Sequence, residues 1–205
     1  MKVFNFDQGS EEWMEIRSGR PTASNASKMI TSTGAESKQL ADYAEALAGN
    51  MFAGKNLDAW MGNIHTDKGI ETETNARLYY ELQNGVTVEQ VGFITDDMEQ
   101  YGCSPDGMVG DDGLLEIKCL SKRHIKALLY FNSKGTPMPE FIPQCQMQLF
   151  ITDRDWVDLM FYHDDLPVMT IRINKDIDFH NALEKLLLKT IGIRDDVLSQ
   201  LRKLV

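Results

Sequence analysis

Cysteine is scarce in this chain. Cys103, Cys119 and Cys145 are the three among 205 residues, widely spaced and odd in number. That excludes a disulfide framework, and the lack of a CxxC pair excludes a thiolate zinc or iron–sulfur site. Buried free thiols are the expected state. Histidine is equally sparse, and His65, His124, His163 and His180 show no metal-ligand spacing. His124, beside Arg123, is expected at an exposed helix position. No apolar run is long enough to span a bilayer, and the opening MKVFNFDQGSEEW has no apolar signal segment. A cytoplasmic location is the default expectation. Repeats, low-complexity tracts and an obvious linker are also missing, so one domain over residues 1–205 is expected, long enough for a sizeable core.

Net basic charge is lacking too: the balance is −10. Phosphate neutralisation needs Lys and Arg, so this charge argues against a nucleic-acid partner. The distribution softens the objection. Between Leu115 and Lys134 stand Lys118, Lys122, Arg123, Lys126 and Lys134 against Glu116 alone. Much of the acidity lies elsewhere, at Glu11, Glu12, Asp96, Asp97, Asp153, Asp155, Asp164 and Asp165. A local basic face can bind anions while the outer surface stays acidic.

The apolar spacing predicts helices over Gln39–Met51 and Ile70–Leu82, with Ser10 or Thr22 as candidate caps. Val86–Thr95 reads as one strand. Ser104-Pro105-Asp106-Gly107 is a turn, and Gly110-Asp111-Asp112-Gly113 a hairpin signal. Leu114–Cys119 follows as a strand, whose alternation puts Glu116 and Lys118 on one face and Leu115, Ile117 and Cys119 on the other. A helix is expected over Lys122–Phe131, and another from Pro143 with Gln144 and Gln148 on one face. Trp156–Tyr162 and Val168–Ile173 read as strands, and Asp178–Leu204 as a long helix interrupted at Gly192. The fold class is mixed α/β (α+β), with helices around a central sheet.

Chemistry concentrates at Pro105-Asp106, ten positions before Glu116-Ile117-Lys118. Two carboxylates on neighbouring strands can share a hard cation, and Mg²⁺ takes oxygen ligands at about 2.0–2.1 Å. A lysine two residues beyond the second acid faces the same site. It can hold or deprotonate water, or stabilise developing charge. The bland reading is an Asp-Gly turn and an exposed Glu-x-Lys pair, but a charged pair on an otherwise apolar strand needs a reason.

Ser104-Pro105-Asp106-Gly107 with Leu115-Glu116-Ile117-Lys118-Cys119 resembles the phage lambda exonuclease, or YqaJ-like viral recombinase, family of the PD-(D/E)xK nuclease superfamily. Glu12-Trp13, Ile16-Arg17 and Thr22-Ala23-Ser24 are similar to its N-terminal motif. Gly69, Glu73, Ala76, Arg77 and Tyr80-Glu81 resemble its helix motif, and Gln144, Gln146 and Gln148 its glutamine-bearing helix. The resemblance implies a restriction-endonuclease-like central mixed sheet flanked by helices. It implies Mg²⁺-dependent (Mn²⁺ as substitute) digestion of linear double-stranded DNA in the 5′→3′ direction, leaving a 3′ single-stranded overhang. It also implies recombination with a phage single-strand annealing protein in a bacterial host cell, a homotrimeric toroid, and no membrane association. By position, Asp106, Glu116, the Ile117 carbonyl and Glu73 become the metal set, with Glu71 the second choice for the helix acid. Lys118 and Gln144 become active-site groups, and Arg17 and Ser24 the pocket for the 5′-phosphate of a DNA end. The competing expectations are another endonuclease of the superfamily or a degenerate, non-enzymatic DNA-binding module. A Cas4-like nuclease is disfavoured because three scattered cysteines cannot supply its cluster. Trp13, Trp60 and Trp156 are expected as packing anchors. The Thr31–Lys38 loop and the Gly54–Gly62 region are candidates for lining DNA.

Overall fold

The computed structural model describes residues 1–57 and 67–204, with side chains in the second block from Glu71 onward. Trp60, His65 and the Gly54–Gly62 region beyond Leu57 lie outside the described residues.

A five-stranded mixed sheet positions the site. Its order is β2 (Val88–Glu89), β5 (Gly107–Val109), β6 (Gly113–Lys118), β7 (Trp156–Phe161) and β8 (Met169–Asn174). β5 and β6 form a hairpin with Gly107 opposite Leu115 and Val109 opposite Gly113. β6 runs parallel to β7, with Glu116 beside Leu159 and Lys118 beside Phe161. Parallel neighbours need a crossover. Here it is α4 (Ser121–Lys134), a 3-10 turn (Pro139–Phe141) and α5 (Ile142–Thr152). The prolines do what their geometry allows: Pro143 sits in the first turn of α5, where no N–H is required.

Strand alternation sorts the core into two faces. Leu115, Ile117, Val109 and Met160 pack beneath Ala76 and Tyr80 of α3 (Asp67–Asn84). Leu114, Val157, Leu159 and Phe161 pack against Cys145 and Leu149 of α5 and Ala127 of α4. Glu116 and Lys118 thus share the α5 side, as period two requires. Beyond α5 a third cluster joins Leu40, Tyr43 and Leu47 of α2 (Leu40–Ala53) to Leu183 and Leu187 of α6 (Ile177–Leu201). A smaller antiparallel sheet of β1 (Lys2–Phe4), β3 (Phe93–Thr95) and β4 (Gly102–Cys103) lies along this side. Ahead of α2 stand α1 (Glu11–Arg17) and a 3-10 segment, Ala23–Lys28.

Several expectations are corrected. Val86–Thr95 is two strands in two sheets, not one. The break falls at Gly92, where an added Cβ would lie 2.1 Å from the Phe6 carbonyl oxygen. Only glycine admits that close passage of the N-terminal segment. Helix α6 runs unbroken through Gly192, because Thr190 before it and Arg194 and Leu198 after it are all buried. Packing on both sides outweighs the glycine's cost of about 1 kcal/mol. His124 is buried rather than exposed: one turn from Ala127 it belongs to the inner stripe of α4, and its Nε2 lies 2.8 Å from the Pro167 carbonyl. Cys103 and Cys145 are buried free thiols, whereas Cys119 is half-buried. Ser10 caps α1 by accepting from the Trp13 N–H at 3.2 Å. Thr22 makes no side-chain cap; its hydroxyl is 3.2 Å from Ser24 Oγ. Among the described residues no helix is long and apolar enough to cross a membrane.

Candidate active site

The β5–β6 hairpin brings the two carboxylates together. The Asp106 N–H donates to the Leu115 carbonyl at 3.1 Å, and Asp106 Oδ2 accepts from the Ile117 N–H at 2.5 Å. That register fixes Asp106 next to Glu116, which is 3% exposed and faces α5. Glu116 is held by three donors. Lys118 Nζ and Gln144 Nε2 each reach Oε1 at 2.6 Å, and Gln148 Nε2 reaches Oε2 at 2.6 Å. Lys118 Nζ also donates to Gln144 Oε1 at 3.1 Å. Gln144 and Gln148 stand one helical turn apart, which is why both meet one carboxylate. The motif reading gave Gln148 no role; its spacing from Gln144 was the available signal. Gln146 points elsewhere, bonding the Asn174 carbonyl and the Asp176 N–H.

Helix α3 supplies the third acid. Glu73 Oε1 accepts from Arg77 Nη2 at 2.8 Å, and Arg77 Nε donates to the Asp106 carbonyl at 3.3 Å. Glu73, Arg77 and Asp106 line a cleft of about 540 Å³ that Gln8 and Gln90 also border. Glu71 is exposed and does not line it.

Burial, then the neighbouring Glu116 and Glu73 carboxylates, push the Asp106 carboxyl well above the usual range. Lys118 feels the reverse balance: burial alone would lower it, but Glu116 and Asp106 outweigh that and raise it. Lys118 is therefore an ammonium here. The donor set of Asp106, Glu116, Glu73 and the Ile117 carbonyl is all oxygen, which suits Mg²⁺ or Mn²⁺. Among the described residues, no three His, Cys, Asp or Glu side chains close on a single point. A Mg²⁺ site does not demand that, since one or two carboxylates and several waters suffice. The mutual repulsion that raises Asp106 is what a cation would relieve. On that ground the residues fit a hard divalent ion.

Arg17 ends α1 with a guanidinium bound, among the described residues, to neutral groups. Nη1 donates to Ser104 Oγ at 3.3 Å and Nη2 to Ser24 Oγ at 3.0 Å. The group lies over the Trp13 ring at 4.0 Å, and Trp13 Nε1 also donates to Ser104 Oγ at 2.9 Å. Burial lowers the Arg17 pKa to about 10. Among the described residues no carboxylate forms an ion pair with it. A half-buried cation held by two hydroxyls can accept a phosphate dianion. Ser104, two residues before Asp106, joins Arg17 and Ser24; the motif reading had not placed it there. Trp156 carries Arg172 at 3.6 Å over its ring, so both described tryptophans anchor arginines. The Thr31–Lys38 loop is tied to α6 through Glu36 and Lys189 at 2.7 Å. Lys122, Arg123, Lys126 and Lys134 of α4 are exposed.

Comparison with known proteins bears on these features. Residues 12–155 match the family described as YqaJ-like viral recombinase domain. An alkaline exonuclease (LHK-Exo) from Laribacter hongkongensis is 30% identical with a TM-score of 0.79, over 95% of this chain and 97% of its own. LHK-Exo in complex with dAMP is also 30% identical, with a TM-score of 0.78 over the same shares. A phage-related exonuclease from Haemophilus somnus 129PT shares the fold, at 16% identity and a TM-score of 0.68 over 89% of this chain and 96% of its own. No curated protein sequence matches.

Proposed function

The chain belongs to the YqaJ-like viral recombinase family, and from that premise we propose that it is a metal-dependent exonuclease acting on linear double-stranded DNA from the 5′ end. One observation carries the reading. The hydroxyl of Ser104 holds the Arg17 guanidinium, which no carboxylate among the described residues pairs, and Asp106 stands two residues later on the same turn. An anion receptor and a carboxylate cluster built on one turn suit an enzyme that grips a terminal phosphate and cuts nearby.

Asp106, Glu116, Glu73 and the Ile117 carbonyl would hold Mg²⁺, with Mn²⁺ as a substitute, and the ion would supply Lewis-acid polarisation of the scissile phosphate. Lys118, kept protonated by Glu116 and Asp106, stabilises negative charge developing on the phosphoryl oxygens. Gln144 and Gln148 hold Glu116 in place, since each donates an N–H to it. Arg17, Ser24 and Ser104 bind the 5′-phosphate and set the register of the cut. Digestion leaves a 3′ single strand, the substrate of a phage single-strand annealing partner, and a homotrimeric ring would retain the duplex between cuts.

A digestion assay tests this. Linear duplex with a 5′-phosphate, unphosphorylated duplex and closed circle are incubated with Mg²⁺ or EDTA. Loss of one strand from linear DNA, with Mg²⁺ only, is expected. Cutting in EDTA would sink the metal mechanism, and equal cutting of the circle would favour an endonuclease. Asp106→Ala and Lys118→Ala should each lower turnover at least about 10³-fold, the scale on which charge-stabilising groups act. Arg17→Ala should mainly erase the preference for phosphorylated ends.

A further inference from the structure

The turn that carries Asp106 is gripped from outside the motif by two side chains. Gln8 Nε2 donates to the Pro105 carbonyl at 3.1 Å and to the Val91 carbonyl at 3.1 Å. Arg77 Nε donates to the very next carbonyl, that of Asp106, at 3.3 Å. The Asp106 N–H and Oδ2 are engaged by β6, so the hairpin fixes one side of this residue. Gln8 and Arg77 fix the other. Neither approach is incidental. Gly92 has no side chain, and a Cβ there would meet the Phe4 and Phe6 carbonyls at 2.6 and 2.1 Å. This bare glycine lets the N-terminal strand cross close enough for Gln8 to reach the turn. Arg77 is itself aimed by partners: Glu73 Oε1 at 2.8 Å and, with the Gln90 amide oriented by its neighbours, Gln90 Oε1 at 2.9 and 3.0 Å.

We propose that Gln8 and Arg77 act as a pair of positioning residues that clamp the Pro105–Asp106 turn and hold the Asp106 carboxylate in the orientation that binds the divalent cation. The inference rests on the metal-dependent reading above. Gln8 lies outside residues 12–155, the stretch matched to the family. Without the clamp, the Pro105 and Asp106 carbonyls lose these two donors, and the Asp106 side chain keeps its bond to the Ile117 N–H on a turn free to shift. Groups that orient a metal ligand change metal affinity by about 10- to 100-fold when removed. Gln8 grips backbone carbonyls, so it acts on geometry and leaves the ligand set unchanged; Arg77 grips the Asp106 carbonyl and also pairs with Glu73.

Calorimetric titration with Mn²⁺, in the absence of DNA, separates the possibilities. Wild type, Asp106→Asn, Gln8→Met and Arg77→Lys are compared, each with a thermal melt in EDTA. Gln8→Met keeps the volume and removes the donor; Arg77→Lys keeps the charge that faces Glu73 and removes the fork. Asp106→Asn should abolish binding. Gln8→Met and Arg77→Lys should each weaken Mn²⁺ about tenfold while still melting cooperatively above the titration temperature. The double variant should lose less than the product of the single losses, because both residues act on one turn. Wild-type affinity in both single variants overturns the clamp and leaves the metal reading standing. Absence of Mn²⁺ binding by the wild type overturns both. Should Gln8→Met fail to fold, Gln8→Asn, which keeps the amide but draws it back from the turn, takes its place, because Arg77→Lys also alters the partner of Glu73.

Discussion

At the scale of single residues, the site is a compromise between stability and chemistry. The Asp106 carboxyl pKa is raised in the folded, metal-free protein, because burial, Glu116 and Glu73 all oppose its charge. A carboxyl raised on folding binds its proton more tightly in the native state. The destabilisation therefore sets in as pH rises above the ordinary carboxylate range near ~4. Asp106→Asn should then melt a few degrees higher than wild type in EDTA near neutral pH, with the gap closing toward pH ~4, while nuclease activity disappears. An unchanged or lower melting temperature at neutral pH would count against the charge-repulsion account. Much of this was legible in the sequence: Asp106, Glu116 and Lys118 were set by a turn and a period of two. Ser104 and Gln148 were not assigned, although both sit inside the motifs. Gln8 was invisible, because the partner it serves is 97 residues away and no local pattern encodes such a contact.

At the scale of elements, α3 carries Glu73 and must be held at a fixed height above the sheet. Its anchor is Tyr80, whose hydroxyl donates to Asp158 Oδ2 at 2.7 Å on β7. Arg172 of β8 completes the buried Asp158 with two bonds of 2.8 Å. Tyr80→Phe removes one donor from a buried carboxylate, at a cost of about 1–3 kcal/mol. Differential scanning calorimetry should record a melting temperature lower by about 3–8 °C for a domain of this size. A melt identical to wild type would show that Tyr80 does not anchor the helix. Most elements followed from periodicity, since long amphipathic helices and the alternating β6 declare themselves. The failures have physical causes. β1 is a short strand whose pairing is decided by a distant partner, β3. The split of Val86–Thr95 depends on a backbone crossing at Gly92, and the continuity of α6 depends on packing at both ends.

At the scale of the whole molecule, the proposed function requires a chain of net charge −10 to approach a polyanion. The exposed Lys122, Arg123 and Lys126 of α4, four residues beyond β6 at their nearest, offer local attraction near Lys118. Each phosphate contact contributes about 0.9 to the slope of log affinity against log salt. Replacing all three by Gln in the Mg²⁺-free protein should reduce that slope by about 2–3, measured by fluorescence anisotropy on a duplex end. An unchanged slope would place the DNA path elsewhere. The same breadth of assembly has a temporal side. β1 pairs with β3, Lys2 lying opposite Thr95, and the site needs contributions from Gln8 through Gln148. During synthesis at about 5–20 residues per second, the first of these segments waits on the order of ten seconds for the last. The acids of the hairpin emerge from the ribosome before α5 can steady Glu116, so this carboxylate meets its glutamine partners only once the chain has been made past Gln148.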